Sequence, residues 1–368
     1  MIEVELLVIG AGPAGMCAAK AAASMGTEVL ICERSENTGG QLIKQTHKFF
    51  GSEKQHAGER GIYIAMDLEK ELLEMENVTL WTDTTVLGIY EDRIVTVEHE
   101  NKHIKVDAKK IIIAAGASEK FLAFPGNDLP GIYGAGAVQT LMNVYGVKPA
   151  ERILMVGAGN IGLIVSYQML QAGVDVAGIV EAAPKIGGYL VHASKLRRAG
   201  VSIRTGYTVK KAYGEHKLEG VIICQLDENF QMIEGTEEDI KCDALCLAVG
   251  LTPLSELCWQ AGCEMAFVRE LSGHVAVTDE EDLQTTAEGI YVAGDVSGVE
   301  EASSAMVEGR LAGYAVAKAL GHNPIQAEEG RKAAYEELKE LRAGIMGQRI
   351  RTGLEKLKAQ EVKKYVNG

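Results

Sequence analysis

Two clusters of glycines have the spacing of turns that bind phosphate groups. They lie at residues 10–15 (GAGPAG) and 157–162 (GAGNIG), and each follows a short apolar run. In such a turn the first glycine permits the tight bend, the second lets the backbone approach a pyrophosphate, and the third lets the following helix pack on the preceding strand. The N-terminus of that helix offers free N–H groups and a partial positive charge. The spacing therefore predicts two sites for dinucleotides.

An acidic residue follows each glycine cluster at the end of a second apolar run. Glu33 follows the first cluster and Glu181 follows the second. A carboxylate at this place can accept hydrogen bonds from a ribose diol. Because an acid repels a 2′-phosphate, Glu181 favours NAD(H) over NADP(H) in the second site. ADP-containing ligands share the adenosine half, so ATP, ADP or a non-exchanging NAD stays an alternative there.

The glycine clusters belong to a longer pattern that occurs twice in the chain. Its recurring pieces are VELLVIGAGPAG and RILMVGAGNIG, the Gly-Gly pairs at 39–40 and 187–188, and the runs IIIAAGA and LCLAVGL. This repetition predicts an α/β fold with two three-layer, Rossmann-like dinucleotide-binding domains, the second inserted in the first. We expect the first domain at residues 1–138 and 277–368 and the inserted domain at 139–276. A helical tail is expected from about residue 327, by its apolar spacing.

The elements between these motifs follow from the hydrophobic pattern. A helix is expected near residues 62–75, and the runs TTVLGIY and RIVTVEHE predict a small antiparallel ribbon. The later runs GHVAVTD and GIYVAGD predict strands that return to the first domain.

The composition disfavours several partners and locations. The chain has 368 residues and a formal net charge of −14, which disfavours nucleic acid and anionic membranes as partners. No apolar run reaches the length of a bilayer span, and the N-terminal residues lack the basic start of a signal peptide. The seven cysteines are scattered through apolar segments, and no Cys/His cluster has the spacing of metal ligands. We therefore expect a cytoplasmic protein with reduced thiols, no membrane span and no metal site.

A late segment resembles the second flavin signature of the pyridine nucleotide-disulfide oxidoreductase superfamily. It consists of TTAEGIYVAGDVSG and the helical stretch EEASSAMVEGRLAGYAVAKAL. The resemblance implies that Asp295 hydrogen-bonds the ribityl chain of FAD. It also implies that the helix from Ala302 points its N-terminus at the flavin pyrimidine and stabilises the anionic reduced form. The first site is therefore expected to hold FAD and the second an NAD-type nucleotide.

The motifs and this resemblance together define the expected contact residues. For FAD they are Gly10, Gly12, Pro13, Ala14, Gly15, Glu33, Arg34, Gly40, Gln41, Leu42, Ala115, Gly116, Gly294, Asp295 and Ala302. For the NAD-type nucleotide they are Gly157, Gly159, Asn160, Ile161, Glu181 and Gly250.

The positions of the cysteines argue against disulfide reduction. The turn GGQL resembles that of thioredoxin reductases, but the stretch before the second glycine cluster lacks their CxxC, and no CxxxxC follows the first Gly-Gly pair. Cys258 and Cys263 have CxxxxC spacing. We expect them in a helix of the inserted domain, where residues i and i+5 do not share a face, so that they serve as buried structural thiols.

Two further segments resemble a narrower group, namely PGIYGAGAVQTLMNVYG and the stretch from GNIGLIVSYQ to LRRAGV. They are similar to the FAD/NAD-fold subunits of multi-subunit amine- and imino-acid-oxidising dehydrogenases: opine oxidase, hydrogen cyanide synthase, hydroxyproline and dye-linked proline dehydrogenases, and heterotetrameric sarcosine oxidase. The resemblance covers most of residues 1–320. It implies an amine-oxidase-type flavoprotein partner that oxidises the C–N bond of a small amine or imino acid. Several such proteins continue into a cysteine-rich iron–sulfur region, whereas residues 327–368 contain no cysteine. We therefore expect any iron–sulfur centre on a separate chain.

The loop at residues 43–61 is expected to run near the flavin ring. Its candidates for stabilising charge on the reduced flavin, or for orienting a substrate, are Lys44, His47 and Lys48. The alternative is a solvated basic loop that Phe49 and Phe50 anchor against the core. No residue here is assigned as a general base. The tail likewise leaves two alternatives, a helix packed on its own flavin domain or a subunit-docking face.

The leading hypothesis from the sequence is an electron-transferring FAD subunit of a heteromeric amine or imino-acid dehydrogenase. The alternatives are a self-sufficient NADH:acceptor oxidoreductase and a non-catalytic scaffold whose second nucleotide is structural.

Overall fold

The computed structural model describes residues 1–49, 53–90, 92–345 and 347–366, and describes side chains as far as residue 358. The chain divides into two compact units. The first unit comprises Met1–Ser118 and Leu251–Gly368, and the second unit comprises Glu119–Gly250. The chain thus enters the second unit from the first and returns to it, as the sequence predicts.

The helices and strands are as follows. The first part of the chain forms β1 (Ile2–Ile9), α1 (Pro13–Ser24), β2 (Val29–Cys32), α2 (Gly61–Leu73), β3 (Val78–Trp81), β4 (Thr84–Ile89), β5 (Ile94–His99), β6 (Lys102–Ile113) and β7 (Ala117–Glu119). The middle forms β8 (Ile132–Gly134), α3 (Ala135–Asn143), β9 (Arg152–Val156), α4 (Asn160–Gln171), β10 (Asp175–Glu181), α5 (Leu190–Arg198), β11 (Ile203–Thr205), β12 (Tyr207–Tyr213), β13 (Gly220–Gln225), β14 (Glu238–Lys241) and β15 (Ala244–Leu247). The last part forms β16 (Leu251–Pro253), α6 (Glu256–Gln260), β17 (Met265–Val268), β18 (Gly273–Ala276), β19 (Ile290–Val292), α7 (Ala302–Leu320), α8 (Pro324–Arg342) and α9 (Gln348–Val366). Short 3₁₀ helices span Gly40–Lys44, Glu53–Gln55 and Arg269–Leu271.

The main sheet of the first unit has the order β3-β2-β1-β6-β5-β4, and β19 also pairs with β6. The pairings among β1, β2, β3, β6 and β19 are parallel. The β4–β5 and β5–β6 pairings are antiparallel, which confirms the predicted ribbon. The long strand β6 joins the two parts, because its beginning pairs with β5 and its end with β1 and β19.

Alternating side chains of the central strands supply two separate cores in the first unit. In β1, Leu6 and Val8 pack with residues of α1, α2 and α7. Leu7 and Ile9 point to the opposite face and pack with residues of β5, β6 and α6. Because both faces of the strand are covered from Leu6 to Ile9, all four residues of this part of β1 are apolar. The unit therefore has three layers.

Helices α1 and α7 of the first unit pack at very short range. A Cβ at Gly309 would lie 2.1 Å from the carbonyl oxygen of Ala14, and one at Gly313 would lie 2.3 Å from that of Ala18. Any larger residue at either glycine would force the two helices apart. The small residues of the GRLAG segment therefore fix how α7, the helix after the predicted flavin signature, sits on the helix after the first glycine cluster.

The second unit repeats this plan with a parallel sheet of order β11-β10-β9-β15-β8. Met155 of β9 packs with residues of α3, α4 and α5 on one face. Leu154 and Val156 pack on the other face, against the antiparallel sheet β12-β13-β14. The prediction of two three-layer, Rossmann-like α/β units is confirmed.

The second unit begins and ends earlier than the predicted boundaries at 138/139 and 276/277. Strand β8 was expected in the first domain, but it pairs with β15 in the second unit, with Ile132 opposite Leu245. The predicted boundary placed hairpin β17–β18 in the insertion, although the run GHVAVTD predicts a strand of the first domain. The hairpin lies in the first unit, where Ala276 packs in the same core as Ile290. A three-residue strand and a short hairpin carry too little periodicity for a sequence to assign them to one sheet or another.

The described tail packs on the first unit. Leu338 of α8 is buried in the core that includes α7, and Ile350 and Leu357 of α9 pack against Leu271. Ile345, which has the same apolar spacing, is 89% exposed because it lies between the two helices. This is the first of the two arrangements that the sequence left open. Within the described ranges, no helix combines the length and the apolar character needed to cross a membrane.

Candidate functional site

The first glycine cluster forms a tight turn between β1 and α1. Gly10 has a φ of +101°, which residues with side chains rarely adopt, and a Cβ there would lie 2.5 Å from the carbonyl oxygen of Ala114. A Cβ at Gly15 would lie 1.8 Å from the carbonyl oxygen of Gly10. At Gly12, the N-cap of α1, a Cβ would meet nothing within 4 Å. Two of the glycines are therefore required by packing, and the middle one leaves space for a ligand.

The second glycine cluster has the same geometry between β9 and α4. Gly157 has a φ of +103°, and a Cβ there would lie 2.2 Å from the carbonyl oxygen of Ala248. A Cβ at Gly162 would lie 2.0 Å from the carbonyl oxygen of Gly157. Gly159 is the N-cap of α4 and is open within 4 Å. Both turns thus direct a helix N-terminus and an unobstructed backbone toward the place where phosphates would lie.

The two predicted acids bind their turns in the same way. Oε2 of Glu33 accepts a hydrogen bond from the N–H of Ala11 at 2.7 Å, and Oε2 of Glu181 accepts one from the N–H of Ala158 at 2.7 Å. The other oxygen of each acid accepts an N–H from the residue two positions later, at 2.8 and 2.9 Å. Each carboxylate oxygen has a second lone pair, so a ribose hydroxyl can still be bound. The acids are oriented before any ligand arrives.

The two Gly-Gly pairs pack against the middle glycines of the turns. A Cβ at Gly40 would lie 2.9 Å from Cα of Gly12, and one at Gly188 would lie 2.8 Å from the carbonyl carbon of Gly159. In the second unit the turn is tied further, because the N–H of Tyr189 donates to Oδ1 of Asn160 at 2.8 Å. These features fit a pyrophosphate-containing dinucleotide in each unit.

Asp295 is a half-buried acid that follows β19 in the first unit. Its Oδ1 accepts a hydrogen bond from the N–H of Glu300 at 3.3 Å. Burial, together with the carboxylates of Glu308, Glu300 and Glu301, raises the pKa of Asp295 to about 7. A hydroxyl group donated by a ligand would favour the charged form of this acid. The position therefore fits the ribityl hydroxyls of FAD.

Helix α7 begins at Ala302, as the sequence predicts, but acids precede it. Its N-cap is Glu301, and Glu300 lies one residue earlier. Negative charge at this end of a helix offsets the positive end of the helix dipole. The dipole alone is therefore a weaker source of stabilisation for an anionic flavin than the sequence suggested.

An ion network that the sequence did not reveal supports the turn around Asp295. Oε2 of Glu308 accepts hydrogen bonds from the N–H of Gly294 at 2.7 Å and from Oγ of Ser297 at 3.0 Å. The guanidinium of Arg342, at the end of α8, pairs with Oε1 of Glu308 and with Oε1 of Glu300. Residues on both sides of Asp295 are thus held by the C-terminal tail.

Comparison with known proteins decides the family. The model of the pyridine nucleotide-disulphide oxidoreductase family matches residues 4–309, a range that contains both glycine clusters and Asp295. The chain belongs to this family. It is accordingly an FAD-dependent oxidoreductase, as the sequence predicted.

Several relatives of this chain are subunits of enzymes. The chain is 30% identical to an opine oxidase subunit of Agrobacterium tumefaciens, over 84% of this chain and 65% of that protein. It is 25% identical to hydrogen cyanide synthase subunit HcnB of Pseudomonas protegens, over 91% of this chain and 75% of that protein. The crystal structure of L-proline dehydrogenase from P. horikoshii matches with a TM-score of 0.67 and 25% identity, over 90% of this chain and 59% of the other. The chain thus spans about two thirds of the first of these relatives. The predicted resemblance to subunits of amine-oxidising enzymes is confirmed at this level.

The seven cysteines of this chain are all buried, and none forms a disulfide. Cys258 and Cys263 lie in the first unit and not in the insertion, which corrects the prediction. They were also expected in one helix, but α6 ends at Gln260, so that Cys263 lies beyond the helix that contains Cys258. The thiol of Cys258 hydrogen-bonds the sulfur of Cys263, which lowers the pKa of Cys263 to about 7. Both side chains remain packed in the core beneath the sheet.

The loop after the first Gly-Gly pair is anchored as one alternative predicted. Phe49 is buried in the core of the first unit, whereas Phe50 lies outside the described residues. Lys44 and His47 are half-buried, and Lys48 is exposed. Their suggested roles toward the flavin or a substrate stay predictions.

The remaining predicted contact residues occupy varied environments. The side chain of Leu42 is fully buried in the core. Arg34, Gln41, Ile161 and Gly250 are exposed. Pro13 and Ala14 lie in the first turn of α1, and Ala115 and Gly116 follow β6 beside it. The assignment of individual contacts stays a prediction.

Proposed function

We propose that this chain is the electron-transferring flavoprotein subunit of a multi-subunit amine or imino-acid dehydrogenase. FAD lies in the first unit, and an NAD-type nucleotide lies in the second. A partner subunit of the amine-oxidase type oxidises the C–N bond of a small amine or imino acid, and any iron–sulfur centre is on a separate chain.

The observation that carries this proposal is the pairing of two complete dinucleotide turns with a set of buried cysteines. Glu33 and Glu181 hold their turns with the same hydrogen bonds, but Asp295 and its supporting ions belong to the first unit. All seven cysteines are buried, so none is placed to exchange with an external disulfide. The cysteines of this chain are therefore not placed to pass electrons from the first unit to a disulfide, which supports an acceptor on another protein.

The residues of the first unit bind and orient the cofactor. The N-terminus of α1 and the open backbone at Gly12 receive the pyrophosphate, and Glu33 receives the adenosine ribose. Asp295 accepts hydrogen bonds from the ribityl chain and so fixes the position of the ring. The flavin, when bound, supplies a ring that accepts a hydride and can release electrons singly.

The residues of the second unit select the nucleotide. Glu181 accepts hydroxyl donors and repels a 2′-phosphate, which supports NAD(H) in preference to NADP(H). The open backbone at Gly159 and the N-terminus of α4 receive its phosphates.

The relatives support the assignment to a larger assembly. The opine oxidase and hydrogen cyanide synthase relatives are both named as subunits, and the relatedness extends over most of this chain. The class of substrate is carried over from the name of the first relative and from the amine-oxidising enzymes that the sequence resembles.

The test is isolation of the native assembly, followed by mass spectrometry of its proteins and released cofactors and by dye-reduction assays. We expect FAD, a copurifying flavoprotein partner, and reduction of the dye by an amine or imino acid only when both proteins are present. If the purified chain alone reduces the dye with NADH at many turnovers, it is a self-sufficient NADH:acceptor oxidoreductase and the proposal is wrong. A chain without flavin, whose absorbance neither donor changes, would make it a scaffold.

A further inference from the structure

The last turn of α8 places one arginine against the turn that carries Asp295. Arg342 donates from Nε to Oε1 of Glu300 at 2.8 Å and pairs through its terminal nitrogen with Oε1 of Glu308. The three side chains are 13%, 9% and 6% exposed, respectively. One buried cation thus serves two buried carboxylates.

Glu308 transmits this contact to the flavin signature. Its second oxygen accepts the N–H of Gly294 and the hydroxyl of Ser297, which lie on either side of Asp295. Burial and the charge of Glu300 raise the pKa of Glu308 above its ordinary value, and the charge of Arg342 limits that rise. Burial would lower the pKa of Arg342, but Glu308 and Glu300 hold it above its ordinary value. The two carboxylates therefore favour the charged form of the guanidinium, and the guanidinium limits the rise in the pKa of Glu308.

Arg342 is well placed because α8 is fixed independently of it. Five residues earlier, Glu337 accepts hydrogen bonds from Nε2 of Gln55 at 2.7 Å and from Arg310 of α7 at 2.8 Å. Leu338 is buried against α7 between these polar contacts. The guanidinium is thus directed into the turn by a helix that is packed along its length.

We propose that Arg342 is a positioning residue for flavin binding. In this proposal, helix α8 of the C-terminal tail completes the flavin site, because it fixes Glu308 and thereby the turn that carries Asp295. This inference rests on the proposed placement of FAD in the first unit. Arg342 acts through Glu308 and is assigned no contact with the cofactor or substrate.

The physical consequence of removing Arg342 is specific. Breaking a buried ion pair by deleting one partner leaves an uncompensated charge, which is more damaging than replacing both partners. Without the guanidinium, Glu308 must turn toward water or take up a proton. Either change loosens the hydrogen bonds at Gly294 and Ser297, so that Asp295 is no longer held where the ribityl chain needs it.

The experiment compares Arg342→Met, Arg342→Lys and the double variant Glu308→Gln with Arg342→Met. Arg331→Met is the matched control, because Arg331 is a buried arginine on the same helix whose partners, Glu328 and Glu281, lie away from the flavin turn. FAD is titrated into each flavin-depleted full-length protein, its dissociation constant is measured by flavin fluorescence, and thermal unfolding is followed in parallel.

We expect Arg342→Met to raise the dissociation constant of FAD at least about tenfold, since the loss of one well-placed interaction changes affinity by this order. Arg342→Lys should fall between this variant and the wild type, because lysine keeps the charge but lacks the planar fork that serves two carboxylates. The double variant should bind FAD more tightly than Arg342→Met alone. Arg331→Met should lower thermal stability but leave FAD affinity within about threefold, since its ion pairs lie elsewhere.

Two results would overturn the inference. One is wild-type FAD affinity in a folded Arg342→Met protein. The other is an equal loss of FAD affinity in Arg331→Met, which would make α8 a general stabiliser. If the wild-type protein itself fails to bind FAD, the proposed function fails and not this inference alone. If Arg342→Met does not fold, Arg342→Lys and the double variant still decide between the outcomes.

Discussion

The two dinucleotide turns differ little in themselves and greatly in what surrounds them. In both, the first glycine has a positive φ, the middle glycine is open, and an acid binds the backbone of the turn. In the first unit a second segment, from Gly294 to α7, packs directly on α1 and brings Asp295 with it. In the second unit Ile161 is exposed at the start of α4. The turn has the geometry of a dinucleotide site in general, and the added segment distinguishes the first unit, in which we propose that FAD binds.

This comparison yields predictions for each unit, the largest effect being expected at the α1–α7 contact. Gly309→Val would place a branched side chain where a Cβ already lies 2.1 Å from the carbonyl oxygen of Ala14. Because backbone atoms cannot move aside cheaply, we expect a loss of about 5 kcal/mol in unfolding free energy and recovery of the protein without flavin. Urea unfolding and the flavin absorbance of the purified protein measure both effects.

The matched control for this substitution is Gly344→Val, because a Cβ at Gly344 would meet nothing within 4 Å. We expect a change of less than about 1 kcal/mol there. If the Gly309→Val protein is stable and carries flavin, the close α1–α7 contact is not required for the stability of the first unit or for flavin binding.

A smaller effect is expected at Asp295 in the flavin-free protein. The folded chain holds the proton of this acid up to about pH 7, whereas an unfolded chain releases it near its ordinary value of 3.8. The folded state therefore binds more protons, and stability is lost as the pH rises from about 4 through 7. Asp295→Asn removes this loss, so the variant should exceed the wild type by up to about 4 kcal/mol at pH 8.

The measurement for Asp295→Asn is urea unfolding of both flavin-free proteins between pH 5 and 8. The difference should narrow toward pH 5. Glu308, Glu300 and Glu301 are the charged groups that act on this acid, and Arg342 pairs with two of them. None of these residues is altered in the variant. A stability difference that does not change with pH would contradict an Asp295 that holds its proton in the folded state. The variant should also bind FAD more weakly, because an asparagine at this position cannot provide the charged acceptor that we propose for the ribityl hydroxyls.

The smallest effect is expected at the two matched acids. Glu181→Gln should reduce the preference for NADH over NADPH about tenfold, equivalent to about 1.4 kcal/mol, because the repulsion of a 2′-phosphate is lost. Glu33→Gln, its counterpart in the first unit, should weaken FAD and leave that preference unchanged. Titration of each nucleotide against the fluorescence of the flavoprotein measures both. If Glu181→Gln leaves the preference for NADH over NADPH unchanged, Glu181 does not contact the ribose of the nucleotide.

The sequence was sufficient where a motif has a local cause. Gly10, Gly157, Glu33 and Glu181 could be assigned because each acts within one strand–turn–helix segment. The domain boundaries were placed too late because β8 has three residues and reveals its sheet only through its pairing with β15. The relation of Cys258 to Cys263 was missed because it depends on where a five-residue helix ends.

The network at Arg342 could not have been predicted from one sequence. Its members are Gly294, Ser297, Glu300, Glu308 and Arg342. Arg342 and Glu308 lie on different helices, and their spacing corresponds to no motif. An arginine near the end of a helix is also what the helix dipole alone would favour. Only the packing of α8 on α7 brings the charges together.

The contact between α1 and α7 also determines the order in which the two units can fold during translation. Ala14 and Gly309 come from opposite ends of the chain, and the whole second unit is synthesised between them. The second unit is continuous, so it can fold while translation proceeds. The early segment of the first unit, with its apolar helix α1, must wait for α7 to emerge before its surface is covered. Slow synthesis of the inserted segment would therefore prolong the exposure of α1, and chaperone dependence is expected to reside in the discontinuous flavin unit.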